Sequence, residues 1–422
     1  MSSEEIIEEL RLQNPWWSGK YVKLPENTIE RELFPALLDE LERELIIGII
    51  GLRRVGKTTL LKTIIKHFMS KIEPIRICYF SFDLGDEFEP LKIVKVYCEE
   101  ILRESLSELS SRVYFFFDEI QKVKNWGNQI KSLYDKGLNV KFFVSGSSSM
   151  NLEKGAGESL IGRIRIEKLR PFTFREFLRY KGIEIPSISL DDVFYPENAS
   201  KYRVAFKEYM ERGGLPEMYE EFSLIYLRQM LDLTFFRDIV DLFMVKRSDV
   251  LKGIFRLIAE NTGQKINFNK ISRDLNTDYR TVRSYVQYLE DSFLIQRSLP
   301  FEKSHLKSLR KNPKIYVSDH SYTSLWNCKE GLKAQTIAFN HLKLNSEPLY
   351  YSKPEIDILL PEQKRAFEVK YSAVVTKADV KNLQELHRNF NLYLVTKDTY
   401  EQWSINGIRV IVLPLWLLCL SI

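Results

Sequence analysis

Little in this chain invites a redox, metal-cage or membrane reading. Its four cysteines (Cys78, Cys98, Cys328 and Cys419) stand apart, without the pairing of a disulfide framework or the short spacing of a zinc site, which suits a reducing compartment. Five histidines form no ligand cluster and read as surface or packing residues. The longest apolar run, Ile408 to Ile422, is interrupted by Arg409 and Pro414 and falls short of a bilayer span. Met1 to Leu12 is acidic and lacks the basic-then-apolar order of a signal peptide, so a cytoplasmic, membrane-free location is expected. No segment is low in complexity, and 44% hydrophobic against 28% charged residues is a globular balance. A chain of 422 residues is too long for one comfortable core, and on the order of two to four domains are expected.

What is present begins with a phosphate loop. Gly51, Leu52, Arg53, Arg54, Val55, Gly56, Lys57 and Thr58 spell G-x-x-x-x-G-K-T between an apolar strand, Leu45 to Ile50, and a helix beginning near Thr59. Glycines let the backbone turn its N–H groups around a β-phosphate. Lys57 reaches the β/γ oxygens, and the Thr58 hydroxyl can ligate magnesium. About sixty residues on, Val113 to Phe117 is an unbroken apolar run ending in Asp118-Glu119, the text of a buried parallel strand with carboxylates at its carboxyl end. Asp118 would hold magnesium through water and Glu119 would orient and deprotonate the attacking water. A third strand, Val140 to Val144, runs into Ser145-Gly146-Ser147-Ser148; Ser145 or Ser147 senses the γ-phosphate, or the segment is a plain turn.

Alternation of strand and helix predicts a doubly wound parallel sheet: helix Ile29 to Glu42, strand Ile75 to Phe82, helix Leu91 to Leu109. From Arg170-Pro171 the text becomes aromatic and helical, with Phe172, Phe174 and Phe177 on one stripe, and a helical lid is expected to about Val250, broken at Gly213-Gly214-Leu215-Pro216. Beyond it, helices at 251–261, 269–275 and 281–289 and a strand at 293–299 predict a winged helix-turn-helix. Eleven Lys/Arg against five Asp/Glu lie between Lys265 and Lys314, although the whole chain carries only +5. Arg280, Thr281, Arg283 and Ser284 open the third helix, where DNA would be met, and Arg297 to Lys314 supplies a basic wing; a protein-contacting spacer with a solvated basic face is the other reading.

The last segment places Glu355 and Asp357 on one apolar strand and Glu368 and Lys370 on the next. Residues two apart share a strand face, so these groups can converge on magnesium, with the lysine stabilising charge at a phosphate. A hairpin with a cross-strand ion pair has the same spacing.

Together these features resemble prokaryotic, especially archaeal, P-loop ATPases of the STAND/AAA-like superclass with a winged helix and a restriction-endonuclease-like carboxyl-terminal domain. The resemblance rests on N-P-W-W (Asn14 to Trp17), the phosphate loop, F-F-D-E-I-Q (Phe116 to Gln121), S-G-S-S-S, Gly162-Arg163, L-R-P-F-T-F-R-E-F, G-G-L-P-E, P-K-I-Y-V-S-D (Pro313 to Asp319), and E-I-D with E-V-K. It implies an α/β protein: an ATPase core at 1–170, a helical lid at 171–250, a winged helix at 251–305 and a nuclease-like α/β domain at 306–422. The implied activity is ATP hydrolysis with magnesium, coupled to DNA and possible in a homo-oligomer; the other reading is a nucleotide-gated switch or DNA remodeller on an inactive nuclease-like scaffold. Arg163 is a γ-phosphate sensor in cis or trans, or a structural ion pair. One departure stands out: relatives carry a glutamate in the helix ahead of the first catalytic strand, where this chain has Gln335.

Overall fold

The computed structural model describes residues 2–40, 43–84, 87–147, 160–190, 192–220, 222–302 and 304–422, apart from the side chain of His305. Two compact units emerge, Met1–Arg170 and Pro171–Ile422.

Five apolar segments of the first unit build one parallel sheet: β1 (Ile46–Ile50), β2 (Ile77–Ser81), β3 (Val113–Asp118), β4 (Val140–Gly146) and β5 (Ile164–Lys168), in the order β2-β3-β4-β1-β5. Every residue of β1, β3 and β4 is buried, which is why these strands read as continuous apolar text rather than an alternation. The helix Lys57–Phe68 buries Leu60, Leu61, Ile64, Ile65 and Phe68 at helical spacing, and Phe68 sets its ring edge-on to Tyr114, Phe116 and Phe143. The unit is therefore α/β, with the parallel sheet of a P-loop NTPase.

β2 is an edge strand, and side chains from the amino-terminal segment cover it. The Asn14 amide donates to Tyr79 O at 2.8 Å and its oxygen accepts from Tyr79 N at 2.6 Å. Trp16 and Trp17 both donate their indole N–H to Ile77 O, and Ser81 N donates to Gln13 Oε1. Four side chains thus take the place of a neighbouring strand, closing an edge that would otherwise pair with another chain.

Two helices are shorter than the sequence suggests. The stretch expected at 29–42 is helical over Phe34–Leu38, where Pro35 sets the start, and residues 41–42 lie outside the described residues. The one expected at 91–109 runs as α-helix over Pro90–Val96, widens through Tyr97–Leu102, and ends at Arg103 in a left-handed conformation.

In the second unit, helices Phe174–Tyr180, Ala199–Arg212 and Leu224–Leu233 occupy the span expected as a lid. Thr173 and Glu176 form a capping box at the first. The Gly213-Gly214 break is sterically required: a Cβ on Gly213 would lie 2.3 Å from Asp319 Oδ1, and one on Gly214 2.6 Å from Phe172 O. Gly214 N donates to Asp319 Oδ2 at 2.7 Å, so two motifs far apart in sequence meet at one buried carboxylate.

Helices Ser248–Glu260, Phe268–Asp274 and Tyr279–Asp291 follow, with a small antiparallel sheet of β6 (Gln264–Lys265), β7 (Ile295–Ser298) and β8 (Lys314–Val317) in the order β6-β8-β7. Because β8 pairs with both β6 and β7, this sheet extends beyond the boundary expected at 305/306. The segment after β7 does not project as a free wing. Phe301 N donates to Tyr350 O at 2.7 Å and Tyr350 N to Leu299 O at 3.1 Å, docking it on the next sheet. That sheet has six strands, β9 (Leu349–Ser352), β10 (Glu355–Leu360), β11 (Arg365–Val369), β12 (Asn391–Thr396), β13 (Glu401–Ile405) and β14 (Ile408–Pro414), in the order β13-β14-β12-β11-β10-β9. The apolar run at 408–422 is β14 plus the buried helix Leu415–Leu420, and no helix among the described residues is long and apolar enough to cross a membrane.

Candidate nucleotide site and a second carboxylate cluster

The loop after β1 is shaped by its glycines. A Cβ on Gly51 would lie 2.2 Å from Leu169 O, and Gly56 takes φ 96° immediately before the helix, which begins at Lys57 rather than Thr59. The helix amino terminus is thereby aimed into the loop. Lys57 is 5% exposed and donates to the carbonyls of Gly51 and Leu52 at 3.1 and 3.2 Å, curling over the loop that would hold phosphates. Arg31, which sequence reasoning missed, braces the loop from behind: its guanidinium donates to Val55 O at 2.9 Å and to Arg170 O at 2.6 Å. An arginine in an unremarkable segment gives no local signal of this.

β3 delivers Asp118 beside this loop. Its Oδ2 accepts from Thr58 Oγ1 at 2.5 Å and from Tyr79 OH at 3.0 Å, and its Oδ1 accepts from Ser145 Oγ. Three neutral hydroxyls thus orient the carboxylate without cancelling its charge. A hard oxygen-seeking cation fits a hydroxyl and a carboxylate so arranged, and Thr58 and Asp118 are the residues that would hold magnesium. Burial pushes the Tyr79 phenol well up, keeping it a donor. Glu119 follows with φ 54°, a conformation a non-glycine residue adopts only when its surroundings impose it. Its N–H donates to Ser145 Oγ at 3.3 Å, and its carboxylate accepts from Gln121 Nε2, which also donates to Ser147 Oγ at 3.2 Å. Burial raises the Glu119 carboxyl above its usual range, against the pull of the Lys57 ammonium, as a proton acceptor requires. Ser145 and Ser147 therefore join the carboxylate pair. Ser148 lies outside the described residues.

Arg163 does not join them. It precedes β5, whose Ile164 pairs with Ile46 at the start of β1, so it stands at the end of the sheet opposite the phosphate loop. Its Nε lies 2.6 Å from Asp135 Oδ1. The cis-sensor expectation is corrected accordingly: parallel pairing puts the residue before β5 one strand length from the residue after β1.

In the second unit, Asp357, Glu368, Lys370 and Gln335 line a cavity of about 540 Å³ together with Glu355. Asp357 Oδ1 accepts from Gln335 Nε2 at 2.8 Å and from Lys314 Nζ at 3.0 Å, and its Oδ2 accepts from Val369 N at 3.1 Å. Lys314, assigned by sequence to a basic wing, is fully buried and also lies 3.3 Å from Glu355. Lys370 is 3.2 Å from Glu368, whose carboxyl burial and then the Asp357 charge raise to about 7. Among the described residues no group of three acidic, His or Cys side chains is disposed to hold a metal ion.

Arg280 and Arg283 are exposed on the first turns of the helix Tyr279–Asp291, with Arg283 5.9 Å over the Tyr279 ring. Asp278 caps that helix through the N–H groups of Arg280 and Thr281, and Thr281 spends its hydroxyl on the same cap. Arg297 pairs with Glu290 and Lys311 with Glu302, so part of the expected basic face is neutralised.

Comparison with known proteins adds a family match over residues 43–178. Over 400 residues the chain is 26% identical to an uncharacterized protein of Haemophilus influenzae, covering 89% of this chain and 95% of that one. An uncharacterized protein of Methanocaldococcus jannaschii is 28% identical over 422 residues, covering 93% and 89%. Among solved structures, the Aeropyrum pernix ORC1 protein in complex with DNA aligns at a TM-score of 0.30 and 11% identity, covering 75% of this chain and 95% of that one. Residues 203–334 match a domain family of unknown function. Residues 43–178 match the AAA domain family, and the phosphate loop, Asp118, Glu119 and Ser145 all fall inside that match, so this segment is similar to AAA-type P-loop ATPase domains.

Proposed function

We propose that the protein is a cytoplasmic, DNA-associated ATPase that hydrolyses ATP at the Lys57–Asp118–Glu119 site and passes its nucleotide state to a winged helix and a nuclease-fold domain in the second unit. The observation that carries the hydrolysis is the Asp118 carboxylate, held at 2.5 Å by Thr58 beside a phosphate loop, with the half-buried Glu119 next to it. Lys57 would hold the β/γ oxygens, and magnesium on Thr58 and Asp118 supplies charge neutralisation when bound. Glu119 takes a proton from the attacking water as the new P–O bond forms, the bond to the β-phosphate oxygen breaks, and ADP and phosphate are released. Lys57→Ala is expected to lose nucleotide binding. Glu119→Gln should keep binding, with kcat down about 10²–10⁴-fold. Unchanged turnover in Glu119→Gln would remove Glu119 from the reaction.

For DNA, the support is the exposed Arg280–Arg283 pair at a helix start. Replacing both with alanine should weaken duplex binding and lower the salt slope by about two counter-ions. Affinity unchanged at every salt concentration would favour the protein-spacer reading. Arg163 suits a contact between copies, where it would meet a neighbour's γ-phosphate in a homo-oligomer. For Asp357, Glu368 and Lys370, metal-dependent cleavage competes with a scaffold reading. The buried Lys314 favours the scaffold.

A further inference from the structure

Glu355, Asp357 and Glu368 face one cavity, and a nuclease-like pattern would use such carboxylates to hold a divalent cation. The residues around them do not fit that use. Lys314, with no exposed side-chain surface, reaches in from β8 and lies 3.0 Å from Asp357 and 3.3 Å from Glu355. Lys265, from β6 of the same small sheet, lies 2.8 Å from Glu355, and Lys370 pairs with Glu368. Three carboxylates thus meet three ammonium groups, and no net negative charge is left for an ion to neutralise.

Most of the lone pairs of Asp357 are also spent. Asp357 accepts from Lys314 and Gln335 on one oxygen and from the Val369 N–H on the other. Gln335 has to turn its NH2 toward that carboxylate, because its own oxygen would repel it, and the same NH2 also reaches Tyr316 OH at 3.3 Å. The amide therefore presents a donor where a metal ligand needs an oxygen. The Gln335 oxygen faces Gly263, where an added Cβ would come within 3.0 Å of it.

We infer that Lys314 is the resident cation of this cavity: its ammonium stands between Glu355 and Asp357 where a divalent ion would, and the cluster fastens the β6–β8–β7 sheet to β10 instead of binding metal. This inference is independent of ATP hydrolysis, because its probe and readout lie in the second unit. Restoring the missing acid at Gln335 is not enough to make a metal site, since the ammonium remains.

The test is manganese binding to the full-length protein without nucleotide, followed by the electron paramagnetic resonance of free Mn2+. Wild type and Asp357→Asn should bind the same number of ions, a comparison in which any ion at Asp118 cancels. Lys314→Met/Gln335→Glu should gain one manganese equivalent, and adding Asp357→Asn should remove it. Gln335→Glu with Lys314 kept should gain none, and this arm holds even if Lys314→Met fails to fold. The inference is overturned if wild type binds an ion that Asp357→Asn abolishes, if Gln335→Glu alone gains one, or if the folded Lys314→Met/Gln335→Glu protein gains none.

Discussion

Asp118 and Asp357 both sit on apolar strands with each oxygen occupied, yet their partners differ in charge. Asp118 is surrounded by the hydroxyls of Thr58, Tyr79 and Ser145. Asp357 is held by an ammonium, an amide and a backbone N–H. Hydroxyl donors orient a carboxylate and leave it able to serve a cation, since each can rotate to offer a lone pair. A buried ammonium satisfies the carboxylate outright and repels any cation that approaches. Whether a strand carboxylate is chemically available is thus decided by the charge of its neighbours, which lie on other strands and on helices, distant in sequence.

The largest effect that separates the two sites is on stability. Lys314→Met should cost about 3 kcal/mol, because the half-buried Asp357 carboxylate loses a fully buried cation, with little added by the exposed Glu355. Thr58→Ala, which removes a neutral donor from Asp118, should cost only about 0.5–1.5 kcal/mol. Hydrogen exchange at the amides of β10 and β11 reads the first change, and those of β3 the second. Similar protection losses at both sites would mean that Lys314 contributes no more than a hydroxyl does.

A pH dependence sharpens the contrast. Glu368 is raised from 4.5 to about 7, first by burial and then by the Asp357 charge, and its Oε2 is buried with no hydrogen-bond partner among the described residues. A carboxyl with a raised folded-state pKa contributes stability that is fully present below about 4.5 and is lost as pH rises through about 7. The second unit should therefore weaken over that window by about 1–3 kcal/mol, and Glu368→Gln should flatten the profile and be the more stable form at pH 8. Equal slopes in variant and wild type between pH 5 and pH 8 would show that Lys370 holds Glu368 ionised throughout.

Legibility in the sequence follows the same division. The phosphate loop is eight consecutive residues whose backbone does the binding, and Asp118-Glu119 closes an apolar run, so local text suffices to find them. The sheet of the first unit is legible for the same reason, since fully buried parallel strands leave unbroken apolar runs. Lys314 was not legible: it ends a stretch rich in lysine and arginine, and only the pairing of β8 with β7 and β6 turns it inward to a carboxylate 43 positions away. Arg163 misled in a related way, because proximity to the serine turn along the chain says nothing about which end of a parallel strand it begins. Asn14, Trp16 and Trp17 were visible as a motif and Gln13 was not, and the role of all four on the β2 edge depends on a strand some sixty residues on.

The smallest effect probes the Asp118 side directly. Tyr79 donates to the same oxygen as Thr58, and its ring lies 5.5 Å from the Lys62 ammonium. When the Thr58 hydroxyl turns its lone pair toward magnesium, Tyr79 remains to hold Oδ2 in place. Tyr79→Phe keeps the buried ring and removes only that donor, at a net cost of about 1 kcal/mol. The expected result is an increase of roughly fivefold in the magnesium concentration needed for half-maximal ATP hydrolysis, since 1.4 kcal/mol is about tenfold, with kcat at saturating magnesium little changed. A general structural defect would instead lower kcat and melting temperature together without moving the magnesium midpoint. If neither moves, Thr58 and Ser145 orient Asp118 unaided, and what distinguishes the two carboxylates narrows to a single ammonium in the second unit.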